Sequence, residues 1–244
     1  MANGFMYLVY SEDGQPNSLF TDTLVKAFNS LRNSIPDSNS YLYTNIQVDS
    51  NHWIHDENGF DHVIYDENMV KSEISKAYGL KRTPFDKTVY LDVDTLVHSG
   101  QSSSLNDIFD VLDTWDVAAL HGNYYASGEI KPDINTGLLG IKNNSNTSLM
   151  MDSWITKFND YIRIQEGDGR SPGEVNTSIC DQKSFRDVFF ENHPKFYILP
   201  QCFMFRWHLL YTVFDHAVIT HGHEMDKQEV LKKLIDSLNK RLED

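Results

Sequence analysis

Two acids interrupt an apolar segment at residues 87–97, and this segment restricts the possible folds more than any other. Its first half ends at Leu91 and has the β-branched and aromatic residues of a buried strand, after which Asp92 and Asp94 follow directly. Burying a lone carboxylate costs several kcal/mol, so the two acids need a cation or an open site. In a strand both side chains point to the same side. At the carboxyl end of a central strand they would face the crevice in which α/β folds bind ligands.

The rest of the sequence alternates between strand and helix patterns. Apolar runs at 5–10 and 40–44 predict strands, and helical spacing over 19–31 lies between them, so the chain opens like a parallel crossover unit. Further strands are predicted at 88–91, 117–120, 195–199 and 218–219, a strand or turn at 134–141, and helices over 69–80, 107–112, 148–162 and 177–190.

Loops and the C-terminal segment complete the expected organisation. Residues 51–68 are polar around a short apolar run at 63–65, and their acids are expected at solvated loop ends. The glycine-rich stretch 166–174 is predicted as a mobile loop and candidate lid. An amphipathic pattern predicts a C-terminal helix over 228–243. Because the sequence contains no repeat and no linker, we expect residues 1–244 to form a single α/β domain.

The composition excludes several classes of protein. With 35 acidic and 21 basic residues the formal net charge is −14, which argues against binding nucleic acid. No stretch approaches the roughly 20 apolar residues that a membrane span needs, and the run at 5–10 lacks the basic flank of a signal peptide. We therefore expect a soluble, cytoplasmic protein. The two cysteines, Cys180 and Cys202, have no zinc-like spacing and are predicted to be reduced packing residues.

Two close carboxylates suit a hard divalent ion such as Mg²⁺ or Mn²⁺ that keeps open positions for a diphosphate. Two classes of enzyme have Asp-x-Asp at such a place. Haloacid-dehalogenase-like phosphatases begin with a similar Asp-x-Asp-x-Thr, and Asp92 would then be the nucleophile. Their motif usually lies near the N-terminus and needs a later acidic pair. Here it lies some ninety residues into the chain, and the later strands end in Leu-His-Gly, Leu-Pro and Thr-His-Gly.

The second class fits more of the chain. An ordered set of motifs resembles GT-A glycosyltransferases, above all the branch that includes glycogenin and the bacterial lipopolysaccharide galactosyltransferases (glycosyltransferase family eight). The set consists of Lys76, the turn 83–87, the Asp-x-Asp segment 90–97, the Asn-Thr-Gly segment 134–139, the pair 181–182 and the segment 218–221. The resemblance implies a GT-A (Rossmann-like) domain with a central, mostly parallel mixed sheet flanked by helices.

The resemblance also implies an activity. Such enzymes transfer a sugar from a nucleotide-diphosphate sugar, usually a UDP-sugar, to a carbohydrate acceptor, with Mn²⁺ or Mg²⁺ as cofactor. Asp94 would be the principal metal ligand, Asp92 would bind the metal or the ribose, and His221 would be the third ligand. His223 lies on the same side of an extended segment, so the choice between the two histidines stays open.

The same comparison implies roles for the remaining residues. Lys76 would lie near the nucleotide and phosphates, with Lys81 and Arg82 as competitors. Tyr10 and Ser11 match positions that cradle the base. The residues expected around the donor sugar are Asn135, Thr136, Gly137, Asp181 and Gln182, the last two contacting the sugar that is transferred.

The sequence also departs from this family. Glycogenin-like enzymes carry Lys-Pro-Trp after the histidine, whereas residues 224–227 are Glu-Met-Asp-Lys. A retaining outcome is expected from the resemblance, but an inverting enzyme would need a carboxylate base, for which Asp181, Glu174 and Asp168 are eligible. The aromatic tract 203–211 is expected to be core rather than an acceptor groove. A domain that binds nucleotide sugar or glycan without turnover is the non-enzymatic alternative.

Overall fold

A mixed sheet of seven strands forms the centre of the protein. The computed structural model describes residues 2–98, 104–126, 129–167, 177–192, 194–200, 203–206 and 219–221. The strands of this sheet are β1 (Asn3–Val9), β2 (Ser40–Thr44), β3 (His62–Tyr65), β4 (Lys87–Leu91), β6 (Val117–Ala126), β7 (Glu129–Lys142) and β8 (Phe196–Leu199). Their order is β3-β2-β1-β4-β7-β6-β8. Since β7 is antiparallel to both β4 and β6 and the other pairings are parallel, the expected mostly parallel mixed sheet is confirmed.

A second, smaller sheet lies beyond the end of β4. It contains β5 (Thr95–Val97), β9 (Met204–Arg206) and β10 (Ile219–His221) in the order β5-β10-β9. Strand β10 is antiparallel to β5 and parallel to β9. The sequence predicted neither β5 nor β9 as a strand, because each has three residues and gains its pairing from a distant segment.

Helices cover both faces of the central sheet. The α-helices are α1 (Leu24–Ser34), α2 (Ser75–Lys81), α3 (Asp107–Thr114), α4 (Ser145–Gly167) and α5 (Thr177–Asn192), with a π-helical turn at Leu19–Thr23 and a 3₁₀ turn at Trp53–His55. Phe5 and Tyr7 of β1 belong to the core with α1 and α3, whereas Met6 and Leu8 belong to the core with α2, α4 and α5. Successive strand residues point to opposite faces, so a strand buried on both faces is apolar throughout.

Several predicted boundaries differ from the structure. Strand β3 coincides with the short apolar run within the polar stretch 51–68, which was not predicted as a strand; its four partly exposed residues pair with β2 at the sheet edge. Helix α2 begins at Ser75 rather than at residue 69. Helix α4 begins where the Asn144 side chain accepts hydrogen bonds from the backbone N–H groups of Asn146 and Thr147, at 2.9 and 3.0 Å. Because α4 continues through Gly167, the predicted loop is wrong at its first two residues.

Some predictions concern residues that the structure does not describe. They are the C-terminal helix over 228–243, most of the stretch 166–174, the tract from residue 207 to 211, and His223. Within the part of the chain that is described, none of the helices combines the length and hydropathy needed to cross a lipid bilayer.

Candidate active site

A cavity of about 310 Å³ opens at the carboxyl edge of the central sheet, where β1 and β4 end. Its lining includes residues from the ends of both strands, from α2, from β7 and from α5. Of the predicted site residues, those that line it are Tyr10, Lys76, Asp92, Asp94, Thr136, Asp181 and Gln182. Motifs that are up to 172 positions apart in the sequence therefore meet at one place.

An irregularity in β7 brings the Asn-Thr-Gly segment to this edge. Ala119 of β6 pairs with Leu139, but the next residue, Leu120, pairs with Asn135, so the pairing with β6 skips residues 136–138. The carbonyl of Gly137 then accepts a hydrogen bond of 2.9 Å from the backbone N–H of Asp92. Bulges of this kind bend a strand and redirect its side chains, and they are common beside active sites.

Lys76 is the charged centre of the cavity. Its ammonium Nζ lies 3.2 Å from Asp92 Oδ1, 3.3 Å from Asp181 Oδ2 and 3.4 Å from Thr136 Oγ1. The Thr136 hydroxyl donates a further hydrogen bond of 2.8 Å to Asp181 Oδ2. Nζ also lies 5.5 Å from the centre of the Tyr90 ring, within the range of a cation–π contact. The residues Lys76 and Asp181 are 6% and 2% exposed, so both charges are almost fully removed from water.

Burial and pairing shift the pKa values of this cluster. Burial raises the pKa of Asp181 to about 6, although Lys76 and the Thr136 hydrogen bond act in the opposite direction. Burial alone would lower the pKa of Lys76, but the charges of Asp181 and Asp92 outweigh it and hold that pKa above its ordinary value. Lys76 therefore stays charged at neutral pH. Burial disfavours the ionised form of Asp181, so keeping this acid ionised reduces the stability of the fold.

The two acids after β4 reach the cavity through a turn. The carbonyl of Asp92 accepts hydrogen bonds from the backbone N–H and the hydroxyl of Thr95, at 3.1 and 2.6 Å. The Tyr90 hydroxyl donates to Asp92 Oδ1, the carboxylate oxygen that Lys76 also contacts. Asp92 and Asp94 both line the cavity, and the chain leaves the strand conformation at Asp92 instead of continuing through both residues.

The residues at this turn suit a hard divalent ion. Carboxylates are the ligands that Mg²⁺ and Mn²⁺ prefer, and Asp92 and Asp94 present two of them to one cavity. Strand β10 pairs His221 with Thr95, the residue after Asp94. The backbone of His221, the predicted third ligand, therefore lies next to the turn that carries the two acids. The structure does not describe the His221 side chain. Among the residues that it describes, no group of three His, Cys, Asp or Glu side chains is close enough to hold a metal ion.

The remaining predicted residues surround the cavity. Tyr10 lines it, and burial, followed by the nearby Glu73 and Glu12, raises the pKa of its hydroxyl to about 12. Ser11 is buried, and the Asn45 side chain bonds its backbone on both sides: Ser11 N–H donates to Asn45 Oδ1 at 3.0 Å, and Asn45 Nδ2 donates to the Ser11 carbonyl at 2.8 Å. These backbone groups are thus engaged within the protein.

Asn135 has one satisfied and one unsatisfied polar atom. Its Oδ1 accepts a hydrogen bond of 2.9 Å from the backbone N–H of Gly137, whereas its buried Nδ2 has no hydrogen-bond partner among the described residues. The two residues that competed with Lys76 are engaged elsewhere, since Lys81 pairs with Asp152 and Arg82 pairs with Asp66.

Sequence reasoning missed three residues of this site. Glu73 lines the cavity three positions before Lys76, Tyr90 contacts both Lys76 and Asp92, and the Trp154 indole N–H donates to the Asp181 carbonyl at 3.2 Å. Glu73 lies in the turn before α2, and an acid at that position gave no distinctive signal in the sequence. Trp154 has the pattern of an ordinary core residue.

Solved glycosyltransferase structures share this fold. The glycosyltransferase GlyE of Streptococcus pneumoniae TIGR4 matches with a TM-score of 0.55 and 13% identity, over 98% of this chain and 64% of its own. The galactosyltransferase LgtC, solved with donor and acceptor sugar analogs, matches with a TM-score of 0.52 and 13% identity, over 96% and 95% of the two chains. Mouse xyloside xylosyltransferase 1 matches with a TM-score of 0.56 and 11% identity, over 91% and 98%.

These similarities establish the fold of the chain. It is the Rossmann-like α/β fold of GT-A glycosyltransferases, as the sequence predicted. The chain spans 64% of the length of the GlyE chain. No family model matches the sequence, and no curated protein sequence does either.

Proposed function

We propose that the protein is a metal-dependent glycosyltransferase that moves a sugar from a UDP-sugar to a carbohydrate acceptor. The observation that carries this proposal is the buried Lys76, which bridges Asp92 and Asp181 across a cavity at the carboxyl edge of the sheet. In open α/β folds this edge is where ligands bind. The likeness to a galactosyltransferase and a xylosyltransferase supports a nucleotide-sugar donor and a glycan acceptor.

The chemical task in such a transfer is to stabilise a departing nucleoside diphosphate. When bound, a Mn²⁺ or Mg²⁺ ion would be held by Asp92 and Asp94, with His221 as the third ligand, and would neutralise charge on the diphosphate. Lys76 contributes a fixed positive charge beside these acids. Because its ammonium is already desolvated and held in place, little reorganisation is needed as negative charge develops on the leaving group.

Other side chains would position the donor. The Tyr10 ring lines the cavity at the end of β1 and offers an aromatic face to the base. Asp181 lines the cavity, and its carboxylate would accept a hydrogen bond from a sugar hydroxyl. Asn135 accepts the hydrogen bond of 2.9 Å from the Gly137 N–H and would hold this segment in place beside the sugar. Gln182 adds an amide to the lining. We assign Asp181 and Gln182 to the transferred sugar and favour retention of the anomeric configuration.

A calorimetric titration of UDP with and without Mn²⁺ tests the proposal. We expect UDP to bind the wild-type protein only when Mn²⁺ is present, and Asp94→Asn to weaken that binding at least tenfold. Asp94 lies in a turn, so the variant should keep its thermal transition close to that of the wild type. The matched control is Asp110→Asn on α3, an exposed acid that lines a separate cavity with Asn3 at the amino end of β1. Equal UDP affinity in Asp94→Asn and the wild type would show that the site assignment is wrong.

Donor turnover separates the alternatives. A working transferase usually leaks sugar to water, so we expect slow, Mn²⁺-dependent release of free sugar from the preferred UDP-sugar in the absence of acceptor. Tight donor binding without release, with or without a panel of acceptors, would indicate a non-catalytic binding domain. Release of inorganic phosphate from small phosphoesters would indicate a phosphatase that uses Asp92.

A further inference from the structure

The lining of the cavity has a polar part and an apolar part. The polar part comes from α2 and the turn before it, the turn after β4, β7 and α5, and it contains the charged cluster around Lys76. The apolar part comes mainly from the end of β1 and the segment that follows it. Its members are Leu8, Val9, Tyr10, Leu19 and Val93. A ligand that fills the whole cavity therefore needs a charged or hydroxylated part and an apolar part.

Leu19 is the most exposed residue of the apolar part. Its side chain is 47% exposed, whereas Leu8 and Val9 are buried. The next residue, Phe20, is fully buried in the core beside α1, so it anchors this segment and leaves Leu19 at the cavity. An exposed leucine on the wall of a cavity is removed from water when a ligand covers it, and the free energy gained is roughly proportional to the apolar area that is covered.

Asn17 ties the segment that carries Leu19 to Tyr10. Its Nδ2 donates a hydrogen bond of 3.4 Å to the Tyr10 carbonyl, and its Oδ1 and carbonyl oxygen accept from the Phe20 N–H at 3.1 and 3.0 Å. Leu19 then begins the π-helical turn, in which the Leu24 N–H donates to the Leu19 carbonyl. Such turns are rare and frequently lie at functional sites. Leu19 and Tyr10 are therefore held close to each other along the same cavity.

We infer that Leu19 contacts the nucleobase of the donor and forms a second apolar surface beside the Tyr10 ring. This assignment rests on the proposed function, since it concerns one part of a nucleotide sugar. The diphosphate is charged and the sugar is covered with hydroxyls, so both suit the polar part of the lining around Lys76. The base is flat and has apolar faces, and it is the part of the donor that suits Tyr10 and Leu19. Leu19 thus contributes to affinity through the base and not through the phosphates.

UDP and an analogue without a base test this assignment. Ribose 5-diphosphate keeps the ribose and both phosphates of UDP and lacks only the uracil. Titration calorimetry with saturating Mn²⁺ gives the Kd of each ligand. We expect the wild-type protein to bind UDP about tenfold or more tightly than the analogue. Leu19→Asn keeps a similar side-chain size but removes the apolar surface, so we expect it to bind UDP about tenfold more weakly, which corresponds to about 1.4 kcal/mol, and to bind the analogue within about twofold of the wild type.

Two further variants serve as controls. Leu19→Met keeps an apolar side chain of similar volume and should retain the wild-type affinity for UDP. Leu149→Asn makes the same polar change at an exposed leucine on α4, away from the residues that line this cavity, and should leave both Kd values unchanged. Since Leu19 is exposed, Leu19→Asn should also keep the thermal transition of the wild type.

The outcomes separate the base contact from the proposed function. Unchanged UDP affinity in Leu19→Asn, or an equal loss for UDP and the analogue, would overturn the assignment of Leu19 to the base. Wild-type protein that binds UDP and the analogue equally well would overturn it too, whether or not a variant folds, and would leave the proposed function standing. If the wild-type protein does not bind UDP with Mn²⁺, the proposed function fails and the base contact fails with it.

Discussion

Two buried lysines lie near opposite ends of the central sheet, and they differ in how completely their charges are matched. Lys87, at the amino end of β4, donates to the Phe109 carbonyl at 2.8 Å and to Asp113 at 2.6 Å. The side chain of Asp113 is 59% exposed, so this carboxylate keeps most of its hydration. Lys76, at the carboxyl end, is paired with Asp92 and with the buried Asp181, whose second oxygen has no partner in the described structure.

This difference is why we propose a functional role for Lys76 and a structural one for Lys87. The charge of Lys87 is matched, because its ammonium contacts one solvated acid, Asp113, and one carbonyl, that of Phe109. Around Lys76 there are two acids for one cation, and one Asp181 oxygen has no partner among the described residues, which costs stability unless a ligand supplies the missing groups. Proteins retain such costs mainly at sites of function, where stability and activity compete. Burial of a lysine is therefore a weaker sign of function than an incomplete set of partners.

The largest expected effect on stability and activity comes from Lys76→Met, with Lys87→Met as the matched comparison. Lys76→Met leaves Asp92 and Asp181 without their cation, so we expect a loss of about 3–5 kcal/mol in the free energy of unfolding. The same variant should lower Mn²⁺-dependent release of sugar from the preferred UDP-sugar by about 100-fold or more. Lys87→Met should destabilise the protein less, because Asp113 is exposed, and should keep kcat/KM near the wild-type value.

Denaturant unfolding and donor hydrolysis measure both variants. Similar losses of activity in the two, after correction for the folded fraction, would contradict the distinction between the lysines.

A pH-dependent effect of intermediate size is expected for Asp181→Asn. The pKa of Asp181 is raised to about 6 by burial, so the folded protein binds this proton more tightly than the unfolded chain does. The associated stability is fully present below the ordinary pKa of 3.8 and is lost as the pH rises through 6. Asparagine stays neutral, so the variant should have a Tm a few degrees above that of the wild type at pH 8. It should also lose sugar transfer.

Thermal unfolding between pH 4 and 8 measures the difference in Tm, which should shrink as the pH falls below 6. A variant that is less stable than the wild type at pH 8 would show that the charge of Asp181 stabilises the fold.

The smallest effect, with the opposite sign, is expected for Asp113→Asn. A hydrogen bond from Lys87 holds the pKa of Asp113 below its ordinary value. Such a carboxylate contributes stability above the unfolded pKa of 3.8, and the contribution is lost as the pH falls through the lower folded value. Asp113→Asn should therefore lower Tm slightly at neutral pH, and added salt should reduce the difference, since the pair is exposed to solvent. If Asp113→Asn had a higher Tm than the wild type at neutral pH, the charges of Asp113 and Asp181 would not differ in their effect on stability.

Much of the fold was predictable because the hydrophobic pattern of neighbouring residues determines where most strands and helices form. The strand at 40–44 was placed at its observed bounds, and those at 5–10 and 88–91 within two residues, since runs of β-branched and aromatic residues with both faces buried leave little ambiguity. Strand β3 and strand β5 were missed. Both are short, and pairing with a neighbouring segment stabilises them more than their own residues do.

The candidate site was predictable where a motif is chemically unusual. Burying two acids after an apolar strand is unfavourable unless they face a cation or an open binding site. The sequence alone was therefore enough to select Asp92 and Asp94 as candidates. Glu73 could not be selected in this way, because an acid at the start of a helix is ordinary. Ser11 had no visible partner in the sequence, since Asn45, which bonds its backbone, is 34 positions away.

The sequence by itself determined which residues enter the core, where most strands run, and which acids must find a cation or an open site. These properties depend on periodicity and on the cost of burying charge, and both act over a few neighbouring residues. Only the tertiary structure decided that Lys76 meets Asp181 across 105 positions, that the irregularity in β7 brings Gly137 to Asp92, and that one carboxylate oxygen of Asp181 stays unmatched among the described residues. Those outcomes depend on strand register and helix packing, which the whole chain sets together.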